Sequence, residues 1–127
     1  MSQKKAVLIL DDEVLVAFDL TAIVEDAGGE AVGPYHDVPN ALAALDDSVP
    51  DFAILDVNLG SSTSEAVANK LKSMGVPFAF CTGYSSGKSG VPARFPDAPC
   101  LSKPVRPQKI VQLIRDELEG SELDRED

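Results

Sequence analysis

Five side chains in this sequence could act together on a phosphoryl group. Asp11, Asp12 and Asp56 are carboxylates, Lys103 is an ammonium and Thr82 is a hydroxyl, and all of them follow closely on runs of apolar residues. Three ionised carboxylates in one place repel one another, so either one keeps its proton or a divalent cation neutralises them. Hard oxygen donors with a side open to water suit Mg²⁺ or Mn²⁺. Zinc is disfavoured, because His36 is the sole histidine and Cys81 and Cys100 lack ligand spacing. A carboxylate beside such a cation can attack phosphorus as an oxygen nucleophile, with a lysine and a hydroxyl holding the other oxygens. Taken singly, each residue has a plain reading: Asp11 and Asp12 as helix caps, Asp56 and Thr82 as strand ends, Lys103 as a surface lysine. The signal lies in the set, gathered from the ends of different apolar strands.

Those strands are legible as branched, apolar runs. Ala6–Leu10 is continuous enough to be covered on both faces, and it stops at Asp11-Asp12-Glu13. Val16, Leu20, Ile23 and Ala27 then recur at helical spacing, with Asp11 or Asp12 as cap and Gly28-Gly29 as stop. Ala31-Val32-Gly33 predicts a short strand closed by Gly33-Pro34. Residues 38–45 predict a helix capped by Asp37 with Ala41, Leu42 and Leu45 inward, broken by Val49-Pro50. Phe52-Ala53-Ile54-Leu55 is a third strand and delivers Asp56; residues 58–64 read as a loop. Glu65–Met74 is a third helix using Ala66, Val67, Leu71 and Met74. Phe78-Ala79-Phe80-Cys81 delivers Thr82, and Pro99-Cys100-Leu101-Ser102 delivers Lys103. Residues 108–118 form a last helix on Ile110, Val111, Leu113, Ile114 and Leu118.

This alternation predicts an α/β sandwich with a parallel sheet, whose ligand site lies outside the strands' carboxyl ends. One stretch resists the pattern. Residues 85–97 carry Gly87, Gly90, Pro92 and Pro96 and no helical apolar stripe, so the fourth helix is expected to be short or mobile.

At 127 residues the chain fits one domain with a core of its own. The expected division is a domain over residues 1–119 and an acidic, fraying tail over 120–127. A net charge of −10 argues against binding nucleic acid through its phosphates and favours cations or basic partner surfaces. Two cysteines make no disulfide framework, the first apolar run is too short for a secretion signal, and no stretch has membrane-spanning length. A cytoplasmic protein with reduced thiols, without membrane or nucleic-acid partners, is the expectation.

The motifs Leu8-Ile9-Leu10-Asp11-Asp12-Glu13, Ile54-Leu55-Asp56-Val57-Asn58, Cys81-Thr82-Gly83 and Ser102-Lys103-Pro104 together resemble those of a response-regulator receiver domain. The resemblance covers residues 5–118. It implies a flavodoxin-like, doubly wound sheet of five parallel strands in order 2-1-3-4-5, with helices on both faces. It implies a phosphoacceptor of a two-component or phosphorelay system rather than a turnover enzyme. Asp56 would take a phosphoryl group from the phosphohistidine of a sensor histidine kinase or phosphotransfer protein. Asp12 would ligate Mg²⁺ directly, Asp11 through water, Asp56 by its carboxylate and Asn58 by its backbone carbonyl. Thr82 and Lys103 would contact the phosphoryl group, and Lys103-Pro104 would be a cis bond. The output would be altered binding to a downstream protein, or drainage of phosphate from a kinase, with no DNA-binding domain following. Oligomeric state is left open.

Three positions depart from the common pattern. Asn58-Leu59-Gly60-Ser61 stands where many receivers have Pro-Gly. Cys100 stands where a switching aromatic is usual, and a thiol does not copy a ring moving between rotamers. The segment 85–97 is poor in helix formers. Phe80-Cys81-Thr82-Gly83-Tyr84 is similar to the motif of an atypical, mostly stand-alone receiver group named FAT-GUY, which also lacks the aromatic switch. In that reading Tyr84 takes over part of the missing aromatic's role, or packs locally, and residues 85–97 reorder on phosphorylation.

Two rival classes are weaker. A haloacid-dehalogenase-type phosphatase would carry an Asp-x-Asp-x-Thr run after the first strand, and this chain has Asp11-Asp12-Glu13-Val14. A pseudo-receiver that only binds partners has no need of the full set of acids, hydroxyl and lysine.

Overall fold

The structure, a computed structural model, describes residues 4–60, 62–83 and 90–116. In chain order its elements are β1 (Ala6–Leu10), α1 (Val14–Asp26), β2 (Glu30–Tyr35), α2 (Val38–Asp47), β3 (Phe52–Asp56), β4 (Asn58–Leu59), β5 (Ser62–Thr63), α3 (Glu65–Met74), β6 (Phe78–Thr82), a 3₁₀ turn (Pro92–Arg94), β7 (Cys100–Ser102) and α4 (Pro107–Ile114). Five strands form one parallel sheet in the order β2-β1-β3-β6-β7. This is the expected 2-1-3-4-5 order once the two-residue strands β4 and β5, which pair only with each other, are set aside.

The period-2 alternation of the strands sorts their side chains into two cores. Leu8, Leu10, Ala53, Leu55, Phe78 and Phe80 face α2 and α3, meeting Ala41, Leu45, Val67, Ala68 and Leu71. Val7, Ile9, Phe52, Ile54, Ala79 and Cys81 face α1 and α4, meeting Leu20, Val24 and Ile110. Both faces of β3 and β6 are therefore covered, and all five residues of each are buried. That is why these strands read as unbroken apolar runs.

Several expectations change in detail. Neither Asp11 nor Asp12 is the N-cap of α1. Glu13 holds that position, and Asp11 Oδ1 instead accepts the Glu13 backbone N–H at 2.9 Å. Asp37 caps α2 as expected, accepting the Asn40 N–H at 2.9 Å. β2 does not stop at Gly33-Pro34. It runs to Tyr35 past a register shift between Leu8 and Leu10, as an edge strand can. Gly33 has φ of 101°, and a Cβ there would lie 2.7 Å from the Tyr35 nitrogen. In α3 the third inward residue is Ala68, while Ala66 is exposed. Gly75, at φ of 74°, closes that helix.

The stretch expected as a loop over residues 58–64 contains a two-rung antiparallel hairpin, with Asn58 opposite Thr63 and Leu59 opposite Ser62. Within 85–97, the described part holds only the 3₁₀ turn Pro92–Arg94, in keeping with a short fourth helix. Phe95 follows it into the core, with ring centroids 5.6 Å from Phe78 and 5.9 Å from Phe80. Tyr84, residues 85–89, Leu118 at the end of the expected last helix, and the expected tail over 120–127 lie outside the described residues. No helix among the described residues is long and apolar enough to cross a membrane.

Candidate functional site

The strand order reverses between β1 and β3, so the crevice expected in a doubly wound sheet lies at the carboxyl ends of those two strands. The register fills it. Leu10 pairs with Leu55, which brings Asp11 and Asp56 out side by side. Asp56 pairs with Cys81, so Thr82 follows one step beyond, and Thr82 pairs with Ser102. The Lys103 N–H then donates to the Thr82 carbonyl at 2.8 Å, placing Lys103 at the same end of the sheet. Lys103-Pro104 is cis, and so is Gly33-Pro34.

Asp11, Asp56 and Thr82 are buried, Asp12 and Asn58 exposed. One carboxylate oxygen from each of Asp11, Asp12 and Asp56 lies within 4.8 Å of the others. The Lys103 ammonium, with 11% of its side chain exposed, stands 3.0 Å from Asp11 Oδ2 and 3.3 Å from Asp56 Oδ2. The Asp11 contact is an ion pair without hydrogen-bond geometry, so Oδ2 is a buried oxygen with no hydrogen-bond donor. An orphaned carboxylate oxygen beside two more carboxylates fits a hard divalent cation such as Mg²⁺.

The electrostatics follow from this crowding. Burial first, and then the Asp11 charge, push the Asp56 carboxyl up to about 7; Lys103 opposes the rise. Burial works against the Lys103 charge, but the hydrogen bond it donates to Glu13 and the nearby Asp11 and Asp56 carboxylates hold it protonated, above its ordinary value. An Asp56 that is half protonated near neutrality is a poor nucleophile, and a divalent cation in this group would favour its ionised form.

All five residues singled out for phosphoryl chemistry thus lie at the same end of the sheet, with Asp11, Asp12, Asp56 and Lys103 clustered, and Asn58 stands two residues beyond Asp56 at the start of β4. Three further features carry no local sequence signal of this kind. Glu13 Oε1 accepts a hydrogen bond from Lys103 Nζ at 2.8 Å. His36 Nδ1 lies 2.8 Å from the Asp11 carbonyl oxygen; a carbonyl only accepts, so the proton is on Nδ1. Val14, Leu15 and Phe18 are 66%, 82% and 72% exposed on α1, beside the pocket. Their signal was a surplus of apolar residues outside the inward stripe of Leu20 and Val24.

The two cysteines do not form a pair. Cys100 is opposite Phe80 and Cys81 opposite Leu101, so the thiols point to opposite faces of the sheet. Burial pushes the Cys81 thiol up to about 12 and raises that of the exposed Cys100, so both stay protonated and unreactive at neutral pH.

Comparison with known proteins decides the family, because the response regulator receiver domain matches residues 7–115. The chain belongs to the response regulator receiver family. It is therefore a receiver of two-component signalling. The receiver is 37% identical to SdrG from Sphingomonas melonis Fr1, whose solution structure it matches with a TM-score of 0.79 over 93% of this chain and 99% of that one. It is 32% identical to the phyllosphere-induced regulator PhyR of Methylorubrum extorquens over 85% of this chain and 41% of that protein. It is 30% identical to the transcriptional regulatory protein PdtaR of Mycobacterium tuberculosis over 87% of this chain and 53% of that protein. The receiver spans about half the length of these two curated relatives.

Proposed function

We propose that this receiver is a phosphoacceptor for a sensor histidine kinase or phosphotransfer protein. An Asp56 carboxylate oxygen attacks the phosphorus of a phosphohistidine. The P–O bond forms as the P–N bond breaks, and the imidazole leaves and takes up a proton. Mg²⁺, with Mn²⁺ as substitute, would be held by Asp11, Asp12 and Asp56 and the Asn58 carbonyl. When bound it neutralises the oxygens of the transferring group. Thr82 donates its hydroxyl, and Lys103 its ammonium, to phosphoryl oxygens. The product carries about two added charges and changes how the receiver binds a partner, or simply removes phosphate from the kinase. It is a phosphoacceptor and not a turnover enzyme. The observation that carries this reading is the convergence of three carboxylates within 4.8 Å with Lys103 on their rim.

The α1 patch supports a protein donor. Val14, Leu15 and Phe18 expose apolar surface beside the acids, where a donor must approach to reach Asp56. Both features are testable together. With Mg²⁺ and a small phosphodonor, intact-mass measurement is expected to show a phosphoryl adduct on the wild type and on Phe18→Ser, and none on Asp56→Asn. With a phosphohistidine protein as donor, Phe18→Ser is expected to slow. No adduct on the wild type overturns the function, and equal adducts on wild type and Asp56→Asn move the site away from Asp56.

A further inference from the structure

Lys103 has one more anion around it than a phosphoryl contact requires. Its ammonium lies within 3.3 Å of three carboxylates: Glu13 at 2.8 Å, Asp11 at 3.0 Å and Asp56 at 3.3 Å. A phosphoryl oxygen arriving on Asp56 competes with these partners for the ammonium, whose side-chain hydrogen bond goes to Glu13. Asp11 is fully buried and belongs to the cation cradle. Asp56 carries the incoming group. Glu13 is different on each count: its side chain is 61% exposed, and it is outside the group of three clustered carboxylates. Losing Lys103 returns its carboxylate to water, whereas Asp11 would be left as a buried charge.

The backbone supports the same assignment. Glu13 occupies the N-cap of α1 with φ of −88° and ψ of 111°, and its side chain makes no cap hydrogen bond. Short polar residues are favoured at that position because they satisfy a free helix N–H, which this glutamate does not do. Its own N–H is fixed by Asp11 Oδ1, so the residue is anchored to the pocket while its carboxylate reaches across to Lys103. A local rule broken at a site edge, with a specific contact in exchange, points to function.

We propose that Glu13 is a positioning residue that holds the Lys103 ammonium at the pocket rim while Asp56 is bare and gives it up when an anion occupies Asp56. This deepens the phosphoacceptor reading and rests on it. Glu13 thereby resists occupancy of the site, because every phosphoryl group must win Lys103 from it.

The test uses beryllofluoride, a phosphoryl mimic, with saturating Mg²⁺. Glu13→Gln is expected to bind it about two- to fivefold more tightly than wild type, the range of one exposed ion pair. Glu13→Asp keeps the charge but shortens the stem by one methylene, so it is expected to behave like Glu13→Gln. Without Mg²⁺ or beryllofluoride, the Lys103 ammonium protons are expected to exchange with water several-fold faster in both variants, read by ¹⁵N NMR. Failure of the wild type to bind beryllofluoride overturns the phosphoacceptor reading and this one together. Normal wild-type binding overturns this one alone if Glu13→Gln matches it, if Glu13→Asp behaves as wild type, or if Lys103 exchange is unchanged.

Discussion

β3 and β7 both end at the pocket, one carrying Asp56 and the other Lys103, on very different supports. β3 is a central strand of five residues, all buried, paired on both sides by β1 and β6. β7 is an edge strand of three residues, with Cys100 and Ser102 exposed and Leu101 half-buried. The anions are therefore fixed by the two cores, and the cation hangs from the least buried strand of the sheet. If Asp56 takes up a charge as proposed, Lys103 and the edge behind it are the side expected to move. An exposed thiol at Cys100 gives this edge no aromatic anchor.

Side-chain truncation tests the contrast most directly. Ile54→Ala in β3 is expected to cost about 3 kcal/mol, within the range for a buried aliphatic residue. Leu101→Ala in β7 is expected to cost about 1 kcal/mol, because only part of its surface leaves water. Urea unfolding at one pH compares them; equal costs would show that the cation side is as rigidly built as the anion side.

The acid side also stores an electrostatic cost that the lysine side does not. Burial and the Asp11 charge raise the Asp56 carboxyl from 3.8 to about 7. The folded state then holds a proton that the unfolded chain loses near pH 4. Stability from this group is full below about pH 4 and is lost as pH rises through about 7. In Mg²⁺-free buffer Asp56→Asn, which cannot ionise, is expected to exceed the wild type by on the order of 2 kcal/mol at pH 8, after allowing for solvent screening. The gap should close toward pH 4. Unfolding curves across that range measure it, and a constant gap would mean that Asp56 stays ionised throughout.

Much of this was legible in the sequence because both faces of the central strands are covered. Ala6–Leu10 and the run from Phe52 have one possible role in a chain of this length, and the acids that end them inherit their positions. The rest depended on distance. Glu13 and Lys103 are 90 residues apart, and nothing in either neighbourhood indicates the other. The β4–β5 hairpin has two rungs and no apolar alternation, so its residues look like any polar loop. Val91 and Phe95 are spaced four apart and both point inward, yet the glycines and prolines around them masked that pair. Whether Cys81 and Cys100 could meet turned on a one-residue register that composition does not encode.

The smallest expected effect decides to which side the 3₁₀ turn before β7 belongs. Arg94 donates to Glu65 Oε1 at 2.7 Å, tying the 3₁₀ turn to the first turn of α3, which follows directly on the β4–β5 hairpin. Both side chains are substantially exposed, so a double-mutant cycle of Glu65→Gln and Arg94→Gln is expected to give a coupling of about 0.5 kcal/mol. Screening should reduce it toward zero in 1 M salt. The 3₁₀ turn would then owe its position to Phe95, seated among Phe78 and Phe80, rather than to its polar contacts. A coupling above about 2 kcal/mol, or one that salt does not touch, would instead make Arg94 part of the rigid frame and leave β7 and Lys103 as the sole movable side of the pocket.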